Sequence, residues 1–152
     1  MVYNFAVTCS AGKSVLGLGG GRKIKTLLVD NELHEHELSS RTGRVMEAIL
    51  GHKDEEGFQS ICLRGENIDI NQLGAVLQYA GAEQFDLIVL DALYRFLPKG
   101  ISENDNAAMM GIYNKLDQYA KMFDVGIVVV HHANKGAQVW NLVVPRYGHD
   151  FP

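Results

Sequence analysis

The sequence has little of what would tie it to a secreted, membrane or strongly basic class. It holds two cysteines, Cys9 and Cys62, far apart and without a CxxC partner. That usage suits a reducing compartment and excludes a disulfide scaffold or a four-cysteine zinc site. No apolar run approaches the roughly 20 residues that a membrane span needs. Residues 1–11 lack a basic lead and a long apolar segment, so no signal peptide is expected and the cytoplasm is the expected place. The formal net charge of −4 does not suit a chain-wide basic nucleic-acid binder, although local basic loops remain compatible with it. There is no internal repeat, and one glycine cluster, Gly17 to Gly21, is the only low-complexity feature. What is present is a 47% hydrophobic chain of 152 residues, enough for one domain with a real core, taken here as residues 1–152 with an atypical tail at 139–152.

Three apolar runs organise that core. Leu87 to Leu90 is unbroken and ends on Asp91. Thr26 to Val29 ends on Asp30, Asn31 and Glu32, and Gly126 to Val130 ends on His131 and His132. Runs this short and this apolar suit strands buried on both faces. A charge does not belong inside such a strand, which places Asp91 at its carboxyl end. Ligands of open α/β sheets bind at those ends.

Helical periodicity fills the intervals. Leu38 to Leu50, Asn71 to Ala80 and Asn106 to Phe123 each show an amphipathic stripe. Ser102 to Asn106 reads as a helix cap, with acids near the start of the last helix. Phe58 to Leu63 and Val139 to Val144 read as further strands, the latter stopped by Pro145, and Pro98 with Gly100 forces a loop. Strands alternating with helices give an α/β fold with a mostly parallel sheet flanked by helices.

The first segment carries a motif. Val2 to Thr8 is short and β-prone and is expected to be a strand. Ser10-Ala11-Gly12-Lys13-Ser14-Val15 follows it. A small turn with Gly-Lys-Ser at a helix start can aim backbone N–H groups at phosphates. Lys13 would then reach the β and γ phosphates and Ser14 would ligate Mg²⁺. The pattern is incomplete, because Val7 stands where the leading glycine belongs. For Gly-Lys-Ser alone an ordinary turn with a solvated lysine is the other reading; the apolar segment before it and the acidic strand ends after it favour the phosphate loop.

Taken in order, Ser10 to Ser14, Leu28 to Glu32, Leu87 to Arg95 and Val128 to Gly136 resemble the RecA-like P-loop ATPases. The likeness is nearest to the RepA-type replicative helicases and their AAA-labelled relatives. It implies an ATP- and Mg²⁺-dependent ATPase with a RecA-like P-loop NTPase core. In it Lys13, Ser14 and the loop residues Ser10, Ala11, Gly12 and Val15 hold nucleotide. Asp91 holds Mg²⁺ through water, with Ser14 as the second metal ligand. Glu32 activates the attacking water, and His131 and His132 sense the γ-phosphate. The resemblance further implies single-stranded DNA as a partner and a homo-oligomeric ring, with a hexamer as the family form.

Two other readings fit the same residues. A nucleotide- or DNA-associated subunit could keep the fold without turnover. His34, His36, Asp91, His131 and His132 could instead hold the two metal ions of a phosphoesterase, since histidine and aspartate at strand ends suit such ions.

Overall fold

Two short apolar runs, Thr26–Asp30 (β1) and Leu87–Asp91 (β3), are buried at every position and form the centre of the sheet. The fold comes from a computed structural model that describes residues 1–14, 21–52, 56–132 and 138–143; for His132 and 138–143 it is the backbone that is described. Strands Phe58–Cys62 (β2), Gly126–His132 (β4) and Gln138–Val143 (β5) complete the sheet, in the order β2-β1-β3-β4-β5. The first four are parallel, and β5 runs antiparallel to β4.

The alternation of side chains along each strand divides the core into two layers. Leu28, Val89, Val128 and Val130 pack against helices Val2–Ser10 (α1) and Glu35–Leu50 (α2), through Val2, Ala6, Val7, Leu38 and Met46. Leu27, Val29, Ile88, Leu90, Ile127 and Val129 pack against Ile70–Tyr79 (α3) and Asn106–Phe123 (α4), through Leu73, Leu77, Met109, Ile112 and Leu116. Each fully buried Leu, Ile or Val contributes about 1.5–3 kcal/mol, so both faces are needed to hold the central strands. Helix ends follow local chemistry. Asp69 and Asp105 each accept two backbone N–H bonds at the starts of α3 and α4.

The expected strand over 2–8 is instead a helix, α1. Its buried positions are Val2, Ala6, Val7 and Ser10. That spacing of four, five and eight marks one helical face, whereas a strand would alternate. Its end is equally specific. Ala11 closes the helix and Gly12 turns left-handed, at φ 65°. The Gly12 N–H bonds to Cys9 O at 3.1 Å and the Lys13 N–H to Thr8 O at 3.2 Å. This crossed pair of bonds with a left-handed glycine is the Schellman way of stopping a helix. Glycine is required twice over, since a Cβ there would stand 2.8 Å from the Lys23 amide nitrogen.

Candidate active site at the carboxyl strand tips

The register of the two central strands builds the site. Asp30 of β1 pairs with Asp91 of β3, so the last residues of both strands stand side by side. Both are nearly inaccessible, at 0% and 4% exposed. By alternation both lie on the face that packs α1 and α2.

Asp30 is occupied by local structure. Its Oδ1 accepts the backbone N–H groups of Glu32, at 2.8 Å, and Leu33, at 2.7 Å. Its Oδ2 accepts the Tyr3 hydroxyl at 2.8 Å. The Tyr3 phenol is pushed well above its ordinary value. Burial contributes most, then the bond to Asp30 and its charge, then the charge of Asp91. One phenol on the first turn of α1 therefore feels both carboxylates, and α1 begins at this end of the sheet.

The turn past β1 presents Glu32, which is half-buried. Its Oε1 accepts the Tyr94 hydroxyl at 2.8 Å, and Arg95 Nε donates to that hydroxyl oxygen at 3.1 Å. Arg64 donates to the Glu32 carbonyl. The Asn31 N–H bonds to Asp91 O at 2.7 Å, tying the turn to the tip of β3. The Tyr94 phenol is pushed up by partial burial first and by Glu32 next, with Arg95 acting in the other direction.

His131 is the penultimate residue of β4 and lies on the opposite face, in line with Ile127 and Val129. Its Nε2 is 3.4 Å from Glu103 Oε1, which joins the strand tip to the loop before α4. The side chains of His132 and Val15 lie outside the described residues.

The other expected nucleotide ligands are not at this end. Ser10 is buried, and its hydroxyl donates to Val7 O at 2.8 Å within α1. Ala11 and Gly12 terminate that helix, and Gly12 packs on the connector leading into β1. Lys13 Nζ donates to Ile49 O, one of the last carbonyls of α2. Ser14 is exposed beside it. A phosphate loop joins a strand to the start of a helix; here Gly-Lys-Ser follows the end of one. Nine residues of α1, about 13 Å of rise, separate it from the carboxylates. The phosphate and Mg²⁺ roles of Lys13 and Ser14 stay expectations; the two residues follow a helix C-terminus, whose carbonyls attract cations rather than phosphate.

The donor set also judges the metals. Mg²⁺ is commonly held by one or two carboxylates completed by water and substrate phosphates. Asp91, buried at a strand tip beside a second acid, fits that use. Among the described residues no three His, Cys, Asp or Glu side chains group to hold an ion. His34 and His36 are exposed around the start of α2, so the dinuclear phosphoesterase reading gains no cluster. Two participants escaped the sequence reading. Tyr3 was hidden by assigning its segment to a strand. Tyr94 had one available signal, its place three residues past Asp91.

The comparisons agree with this architecture. A family model described as an AAA domain matches residues 1–138, and the chain belongs to that family. No curated protein matches the chain. The family is one of nucleotide-binding ATPases, and the α/β architecture with its four parallel strands is that of a RecA-like P-loop NTPase core. No helix among the described residues is long and apolar enough to cross a membrane.

Proposed function

We propose that this AAA-domain chain binds ATP and hydrolyses it with Mg²⁺ at the carboxyl tips of β1, β3 and β4. The observation that supports it most is the pairing of Asp30 with Asp91 at the buried centre of the sheet, with Glu32 on the adjoining turn. In this reading Asp91 holds the cation side of the site. Mg²⁺, when bound, supplies charge neutralisation on the phosphate oxygens. Glu32 orients the attacking water and takes up its proton. The N–H groups at the start of α1 face the anionic end of the nucleotide. His131, braced by Glu103, responds to the ligand at the tip of β4. Turnover is coupled to single-stranded DNA and to a homo-oligomeric ring, a hexamer in the family form. Gly12-Lys13-Ser14 has no part in the chemistry.

The test is phosphate release from Mg²⁺-ATP, with and without single-stranded DNA, alongside ATP affinity. Glu32→Gln is expected to lower turnover by about 100-fold while leaving affinity within about threefold, the pattern of a group that acts in the transition state. Lys13→Ala is expected to leave both unchanged. Loss of ATP binding in Lys13→Ala would contradict the assignment of the site. A second reading, a nucleotide-binding subunit without turnover, is favoured by the use of the chain's Gly-Lys-Ser segment as a helix terminator. A parent protein that binds ATP and releases no phosphate supports that reading instead.

A further inference from the structure

We infer that Tyr94 is a positioning residue for Glu32, fixing its carboxylate relative to the tip of the Asp91 strand. The inference rests on the ATPase reading and deepens it.

The backbone of Glu32 is already fixed on both sides. Asp30 holds its N–H, and the Arg64 guanidinium holds its carbonyl. A glutamate side chain has three further torsions, which a pinned backbone leaves open. The Tyr94 hydroxyl closes them by donating to Oε1 at 2.8 Å. Tyr94 is a suitable post because it is itself held. It lies on the turn Leu93–Phe96 directly after β3, between Leu93 and Phe96, both 0% exposed. The neighbouring Arg95 donates to the same hydroxyl oxygen, and its guanidinium carbon is 5.3 Å from the ring centroid. A cation donating to a hydroxyl polarises that O–H and strengthens its bond to the next acceptor. The order Arg95 to Tyr94 to Glu32 is such a chain.

The contact spans the two halves of the site. Glu32 follows β1, whereas Tyr94 follows β3, which carries Asp91. With the Asn31 N–H to Asp91 O bond beneath it, the Tyr94 bond makes the water-orienting acid and the cation-holding acid one unit. A misplacement of about 1 Å between such groups costs on the order of 100-fold in rate. Tyr94 remains 40% exposed, so its share is smaller than that. A decorative surface pair would give no change in rate.

The experiment compares the parent, Tyr94→Phe, Glu32→Gln and the double variant. Tyr94→Phe is expected to lower kcat about tenfold with KM for ATP unchanged and with the thermal midpoint retained. Adding Tyr94→Phe to Glu32→Gln is expected to cost nothing more, because the residue acts through the glutamate. Alkaline ultraviolet titration, which needs no turnover, reads the contact itself. The difference between parent and Tyr94→Phe isolates one phenol of the six tyrosines. That phenol is expected to ionise at lower pH once Glu32 is Gln.

An unchanged kcat in Tyr94→Phe, or equal losses in both backgrounds, overturns the positioning role and leaves the ATPase reading standing. A Tyr94 titration indifferent to Glu32→Gln overturns the contact. A parent without turnover overturns the ATPase reading, and the positioning role of Tyr94 in turnover with it.

Discussion

The two ends of the sheet both carry charged side chains, yet they use them differently. At the amino end the charges serve the backbone or water. Lys13 bonds a terminal carbonyl of α2, Asp86 accepts the Lys25 N–H at 2.8 Å, and Arg22 reaches Asp86 at 3.3 Å with most of its side chain in solvent. At the carboxyl end two aspartates are buried side by side, and the carboxylate of a glutamate on the adjoining turn is held by a tyrosine. Charge exposed to water costs little and signifies little. Charge buried at a strand tip is expensive and persists where something offsets it. The lesson is to weigh a motif by the end of the sheet on which it falls.

That contrast can be tested at single residues. The largest expected effect on stability is at the amino end. Gly12→Ala forces a side chain into a left-handed φ and against the Lys23 backbone. A loss of about 2 kcal/mol is expected, seen as a thermal midpoint lower by roughly 4–8 °C. Gly111→Ala, in the exposed interior of α4 with nothing within 4 Å of the new Cβ, is expected to move stability the other way, by up to about 1 kcal/mol. Equal effects at the two glycines would remove the helix-terminator account of Gly12.

A smaller effect belongs to the carboxyl end. Tyr3→Phe removes the hydroxyl bond to Asp30, and a loss of about 1–2 kcal/mol is expected at neutral pH by denaturant titration. The dependence on pH has a definite sign. The Tyr3 phenol ionises later in the folded chain than at its ordinary value of 10.0. The folded state therefore keeps a proton that the unfolded chain loses, so this contribution is complete below about pH 10 and drains away above it. The stability gap between parent and Tyr3→Phe is expected to narrow as pH rises past 10. A gap that widens there would show that Tyr3 does not share its proton with the acids.

The sequence made much of the fold readable because burial on both faces leaves a plain mark. β3 and β4 stand out as apolar runs with polar tips, and Asn106–Phe123 shows its helical stripe and its capping acids openly. The β5 segment was visible as a β-prone stretch, but its antiparallel pairing with β4 is a long-range fact with no local signature. Residues 2–10 misled because Val, Tyr, Phe and Thr favour strands locally, while the buried spacing that decides for a helix is enforced by packing on Leu28 and Val89. Gly12 was read as part of a phosphate loop or an ordinary turn, whereas the structure makes it a helix terminator. Only the direction of the preceding element separates them. Asp91 and Glu32 were legible as candidates from strand-end position. The Tyr94 contact joins residues 62 apart in sequence, and no periodicity reports such a bond.

The most direct test follows the cation itself. Mn²⁺ bound with ATP in place of Mg²⁺ broadens the NMR signals of nearby backbone amides. The account predicts strong broadening at Asn31, Glu32, Ala92 and Leu93, with Lys13 and Ser14 broadened far less. Broadening centred on Lys13 and Ser14, with the strand tips unchanged, would contradict it.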